Sequence, residues 1–114
     1  MRKTIFLVVA VSLLVCSFSL QEQNPFFSDF DTPFGVPPFD RIRVEHYMPA
    51  FMEGMKQQQE EIDDIVNSTG PPTFENSIEA LESGGALLIK VGNVFRNMNS
   101  ANTNEDIQSI AKEI

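Results

Sequence analysis

The chain has 114 residues, with 8 basic and 16 acidic side chains and a formal charge of −8. That length allows one small domain at most. Nucleic acid is excluded as a partner, because no Lys/Arg cluster exists to neutralise phosphates, and a single cysteine, Cys16, excludes an intrachain disulfide.

Residues 1–19 read as a signal peptide rather than as part of the fold. Arg2 and Lys3 form a positive leader, Ile5 to Val15 is apolar but for Ser12, and the small residues Ser17 and Ser19 follow. The apolar run is shorter than the about 20 residues that span a bilayer, so no transmembrane helix is expected after processing. Two exits from the signal stay open. Ser17 and Ser19 suit cleavage after Ser19. Alternatively, Leu13-Leu14-Val15-Cys16 has the layout of a bacterial lipoprotein signal, with Cys16 as the lipidated first residue. Val15 is bulkier than the small residue usual before such a cysteine. Either exit places the protein outside the cytoplasm, as a periplasmic or membrane-anchored species. Without residues 1–19 the chain keeps 6 basic and 16 acidic side chains, a charge of −10.

Residues 20–43 form an arm. Pro25, Pro33, Pro37 and Pro38 prevent a helix from running through it. Phe26, Phe27, Phe30, Phe34 and Phe39 stud the same stretch, whereas disordered linkers are poor in aromatics. The reading is an extended arm docked on its own fold, each buried ring contributing about 1.5–3 kcal/mol. The functional alternative is a recognition peptide for another protein.

Residues 44–114 read as three to four helices. The first runs from Val44 to Val66, with Tyr47, Phe51, Met55, Ile62 and Val66 on one stripe and Met48, Met52 and Ile65 broadening it. Pro49 is placed near its first turn, where a missing N–H costs little. Pro71-Pro72 bars continuation. Thr73 is the expected N-cap of a second helix, with Asn76 as an incomplete capping-box partner and Phe74, Ile78 and Leu81 as its apolar stripe. Gly84-Gly85 predicts a kink or a break before Leu87, Leu88, Val91, Val94, Phe95 and Met98. Asn97, Asn99, Asn102 and Asn104 mark a turn. Thr103 and Asp106 are expected to open a last helix bearing Ile107, Ile110, Ala111 and Ile114. The sequence halts there without a helix stop signal, from which a longer parent chain is expected. A processed chain of this size buries only a modest core.

No complete catalytic site and no metal site is predicted in this chain. Zinc catalysis needs three protein ligands and an open position, and the chain has one histidine, His46, and no H-E-x-x-H. His46 is read as a structural residue contacting backbone or aromatic neighbours. The adjacent carboxylates Glu60-Glu61, Asp63-Asp64 and Glu105-Asp106 do not face each other on a helix and are read as a solvated face. Gly84-Gly85 lacks the strand, lysine and spacing of a phosphate loop. Asn67-Ser68-Thr69 matches the short N-glycosylation sequon. The methionines have core spacing rather than ligand spacing.

Several stretches are shared, in order and at compatible spacing, with one family. They are Asp31-Thr32-Pro33-Phe34-Gly35-Val36-Pro37-Pro38-Phe39, His46-Tyr47, Pro49-Ala50-Phe51, Pro72-Thr73-Phe74-Glu75-Asn76 with Ile78, and Asn99-Ser100-Ala101-Asn102-Thr103-Asn104. From Asn24 onward the chain resembles the N-terminal part of bacterial peptidyl-dipeptidases of the thimet oligopeptidase and oligopeptidase A family. The resemblance implies a segment of a large, mostly helical zinc metallopeptidase whose two halves enclose a channel for short peptides. It implies release of C-terminal dipeptides, with zinc held by an H-E-x-x-H helix and a later glutamate. None of those ligands has a counterpart here. The implied partners are the remainder of the parent peptidase and, for the whole enzyme, short peptide substrates. The other open reading is a stand-alone secreted helical protein that binds a partner without chemistry.

Overall fold

The computed structural model describes residues 23–114. The signal segment and Cys16 lie outside the described residues. The architecture is all-α, with no strand among the described residues. Two short 3₁₀ turns, Pro25–Phe27 and Pro33–Gly35, occupy the arm. Helix α1 is Val44–Val66, the range predicted from the sequence. A π-helical stretch, Phe74–Glu79, runs directly into the short α2, Ala80–Ser83. Helices α3, Ala86–Ala101, and α4, Glu105–Glu113, complete the chain. No helix among the described residues is long and apolar enough to cross a membrane.

The core lies between α1 and α3. Tyr47 and Phe51 each pack edge-on against Phe95, at 5.2 and 5.4 Å between ring centres, while Gly54 lies against Leu88. Rising numbers on one helix meet falling numbers on the other, so the pair is antiparallel. Phe26, Tyr47, Ala50, Phe51, Val91, Val94, Phe95 and Ile107 form the buried apolar cluster, with Leu87, Leu88, Met98 and Ile110 packed around them.

The predicted α1 stripe is correct at Tyr47 and Phe51 but drifts beyond them. Met52, Met55 and Val66 face outward, and Ala50 and Gly54 turn toward α3 instead. The reason is steric. A Cβ on Gly54 would lie 2.9 Å from the Leu88 Cα and N, so the helices meet there backbone to backbone. Pro49 sits in the second turn of α1 rather than the first, on its exposed side.

The segment after α1 corrects the expectation at two points. The capping box is complete: the Asn76 N–H donates to Thr73 Oγ1 at 3.2 Å, and Asn76 Oδ1 accepts from the Thr73 N–H at 2.8 Å. An asparagine thus fills the role usually taken by Glu or Gln. Hydrogen bonds to the Glu75 backbone N–H, and then to Thr73, hold the Glu75 carboxyl below the usual glutamate range. The following turns are wound wider than an α-helix, and Phe74, Ile78 and Leu81 are exposed. Gly84-Gly85 makes a true break. Gly85 adopts φ 71°, a left-handed conformation that suits a residue without a Cβ.

The asparagine-rich region is helical through Ala101, so Asn97 and Asn99 belong to α3 rather than to a turn. Helix α4 is capped by Asn104, not Thr103: Asn104 Oδ1 accepts from the Ile107 N–H at 2.9 Å. Thr103 instead donates its hydroxyl to Asn99 Oδ1 at 3.2 Å. Ile107 is buried, while Ala111 and Ile114 are exposed.

Candidate functional site

The most built feature of the fold is the junction where the arm meets α1 and α3. Asn24 caps the first 3₁₀ turn through Oδ1, which accepts from the Phe26 N–H at 3.1 Å. Its amide Nδ2 donates to the His46 carbonyl at 2.9 Å, tying the turn to the start of α1. Phe26 is then driven inward to 1% exposure and meets Tyr47 at 5.4 Å between ring centres. Phe30 packs edge-on against Phe26 at 6.3 Å, so one file of rings leads from the arm into the helical core.

Lys90 closes the junction from the α3 side. Its Nζ donates to the Phe26 and Ser28 carbonyls, at 3.3 and 2.5 Å, and lies 4.2 Å from the centre of the Phe30 ring. A single ammonium thereby satisfies two carbonyls of the arm and adds a cation–π contact. Sequence reasoning passed over Lys90. The available signal was its isolation, one cation within the apolar run Leu87 to Val91.

The prediction of a fully docked arm is correct for Phe26 and Phe30 only. Phe27 and Phe39 are about half exposed, at 48% and 47%, and Phe34 is fully exposed. Ring number was a poor guide, because only the rings next to the Asn24 and Lys90 anchors reach the core.

His46 is buried and bonded to the backbone. Its Nδ1 accepts from the Arg43 N–H at 3.0 Å, and its own N–H donates to the Arg43 carbonyl at 3.1 Å. In the neutral ring, an accepting Nδ1 leaves the hydrogen on Nε2. His46 borders an open cleft of about 740 Å³, together with Asn24, Phe27, Arg43, Glu45 and Pro49. Glu45 lies 3.9 Å from Arg43 across exposed surface, an ion pair of little energetic weight. No Ser, Thr, Cys or Lys side chain is among the described residues that line this cleft.

The carboxylate pairs are split between unrelated tasks. Glu61 Oε2 accepts from the Gly85 N–H at 2.6 Å and locks the break between α2 and α3 onto α1. Glu60 lies 3.7 Å from Lys56, and Asp63 accepts from the Gln59 side chain at 2.9 Å. Glu105 and Asp106 occupy the first turn of α4, where the helix dipole favours negative charge. Among the described residues, no three His, Cys, Asp or Glu side chains are grouped so as to hold a metal ion. The Tyr47 hydroxyl is buried and finds no hydrogen-bond partner among the described residues. Burial pushes its pKa above the usual tyrosine value.

This arrangement fastens an arm onto a helical pair. Comparison with known proteins gives it a context. The chain is 45% identical over 87 residues to the dipeptidyl carboxypeptidase of Salmonella typhimurium, and 42% identical over 90 residues to that of Escherichia coli. It is 27% identical over 77 residues to the oligopeptidase A of Escherichia coli. These alignments take in 76%, 79% and 68% of this chain but only 13%, 13% and 11% of the relatives. No family model matches the chain. The shared sequence, laid over the clamped helical pair, makes this chain a segment of the dipeptidyl carboxypeptidase and oligopeptidase A family.

Proposed function

We propose that the chain is a scaffold segment of an exported zinc metallopeptidase that, as a whole protein, releases C-terminal dipeptides from oligopeptides. The observation that carries this reading is the 45% identity over 87 residues to a dipeptidyl carboxypeptidase. The role assigned to this segment is mechanical. The antiparallel α1–α3 pair forms one part of a helical wall, and the arm, pinned by Asn24 and Lys90, fastens that wall.

The residues here do not fit a zinc site. The lone histidine spends Nδ1 on the Arg43 amide, and no set of three donors gathers elsewhere among the described residues. The metal belongs, in this reading, to residues of the longer protein, and no chemical step is assigned to the present ones. Export rests on the leader sequence, with cleavage after Ser19 or lipid attachment at Cys16. Palmitate labelling separates the two: label that disappears in Cys16→Ser identifies the lipoprotein, and an unlabelled wild type excludes it.

The test of the main proposal is the source genome beyond codon 114, followed by assay of the whole product. The expected result is an open frame that reaches an H-E-x-x-H, and dipeptide release that a zinc chelator abolishes. A stop codon directly after Ile114 refutes the proposal and leaves a stand-alone helical binding protein.

A further inference from the structure

The turn at Thr32–Val36 combines two features that the isolated fold does not explain. Phe34 has φ 62° and ψ 16°, inside the left-handed region, where a bulky aromatic residue is an outlier. The same ring is fully exposed, at 103% of its reference surface. Strain of this kind persists where surrounding structure imposes it, and the turn is firmly imposed. The Gly35 N–H donates to the Thr32 carbonyl at 3.0 Å, the Val36 N–H to the Pro33 carbonyl at 3.4 Å, and the Thr32 hydroxyl to the Val36 carbonyl. Pro38, which follows, is buried, and its carbonyl holds the next turn of the arm by accepting from the Arg41 and Ile42 N–H groups at 2.9 and 3.1 Å. The chain thus holds one apolar ring rigidly outward, at a cost in strain and in hydration.

We infer that Phe34 is a docking knob, and that its socket is an apolar pocket in the part of the same peptidase lying beyond this segment. The inference rests on the proposed reading of the chain as a peptidase segment. The occupant is chosen on two grounds. The relatives are far longer than the match, which takes in 13% of the Salmonella typhimurium enzyme, so most of such a protein is available to cover this turn. A second copy of this chain is disfavoured, because each copy carries a net charge of −8 and the two repel. Burial of the ring in the socket compensates the strain of the turn, which explains why phenylalanine rather than glycine or asparagine stands at a left-handed position.

The test exploits a reversal of sign. Phe34→Gly is introduced into this full chain and into the Salmonella typhimurium dipeptidyl carboxypeptidase whose matching segment is replaced by residues 23–114. In the chain alone, glycine relieves the strain and raises the melting temperature by roughly 4–8 °C. In the chimera the same change empties the socket and lowers the melting temperature, and Phe34→Asp lowers it further. The inference is overturned if Phe34→Gly has the same sign in both contexts. It is overturned equally if Phe34→Asp leaves the chimera's melting unchanged. Sedimentation that reveals a dimer of the 114-residue chain, dispersed by Phe34→Asp, overturns it in favour of self-association. The failure of the underlying reading looks different: a wild-type chimera that melts cooperatively yet releases no dipeptide, while the parent Salmonella enzyme does, refutes the scaffold role even where the sign reversal holds.

Discussion

Gly54 and Gly92 offer a paired test of the packing between α1 and α3, because one substitution is expected to act in opposite directions at the two sites. Alanine is intrinsically better than glycine in a helix by about 1 kcal/mol. At Gly92, on α3, an added Cβ meets nothing within 4 Å, so this intrinsic gain stands alone. At Gly54, on α1, the added Cβ lies 2.9 Å from both the Cα and the N of Leu88 and 3.2 Å from its Cβ. The obstructing atoms are backbone, so no side-chain rotation relieves the contact and the helices must separate. Overpacking of this kind costs about 1–3 kcal/mol, which offsets or exceeds the gain in propensity. Separation also loosens the contact of Phe95 with Tyr47 and Phe51. Gly54→Ala is therefore expected to destabilise by up to about 2 kcal/mol, and Gly92→Ala to stabilise by about 1 kcal/mol. Urea unfolding followed by far-ultraviolet circular dichroism reads both, and the midpoints should move to opposite sides of wild type. A Gly54→Ala midpoint at or above that of Gly92→Ala refutes the backbone-to-backbone contact.

Three further substitutions probe the junction and the caps. Tyr47→Phe removes a buried hydroxyl that has no partner among the described residues. Its stability in urea should equal or exceed wild type, and a loss above about 1 kcal/mol would reveal a hydrogen-bond partner for the hydroxyl. Lys90→Met keeps the aliphatic stem but removes the ammonium from two carbonyls and from the Phe30 ring. Limited proteolysis should then cut the arm near Ser28 well before α1, and an unchanged cleavage order refutes the clamp. Asn76→Ala breaks the reciprocal cap at Thr73. A loss of about 0.5–2 kcal/mol is expected in thermal unfolding, with Asn76→Gln recovering part of it.

The helical class and the bounds of α1 were legible because local signals agreed there: the four-residue spacing of Tyr47 and Phe51, and the Pro71-Pro72 stop. The face that α1 buries was less legible beyond Phe51. Hydrophobicity points to Met52 and Met55, but the contact is made by Ala50 and Gly54, small residues that matter through closeness rather than apolarity. The Asn76 cap and the Asn104 cap were obscured for a related reason, since asparagine serves turns, caps and helix surfaces alike. The expected backbone contact of His46 is present, because its position at the opening of α1 places Nδ1 over the Arg43 amide. Lys90 and Glu61 were missed because their partners are backbone groups far along the chain, and backbone carries no side-chain pattern to recognise.

The Lys90 clamp also bears on the order in which the protein takes shape. The carbonyl of Phe26 and the ammonium that holds it are 64 positions apart in sequence. Phe26 leaves the ribosome early, yet its neighbour Tyr47 is completed by Phe95, and its carbonyl stays unanchored until α3 has been made. The arm is therefore synthesised among the first segments and settles among the last. During that interval its rings lack the partners that bury them. A lysine that fastens the segment as soon as α3 forms shortens the exposure.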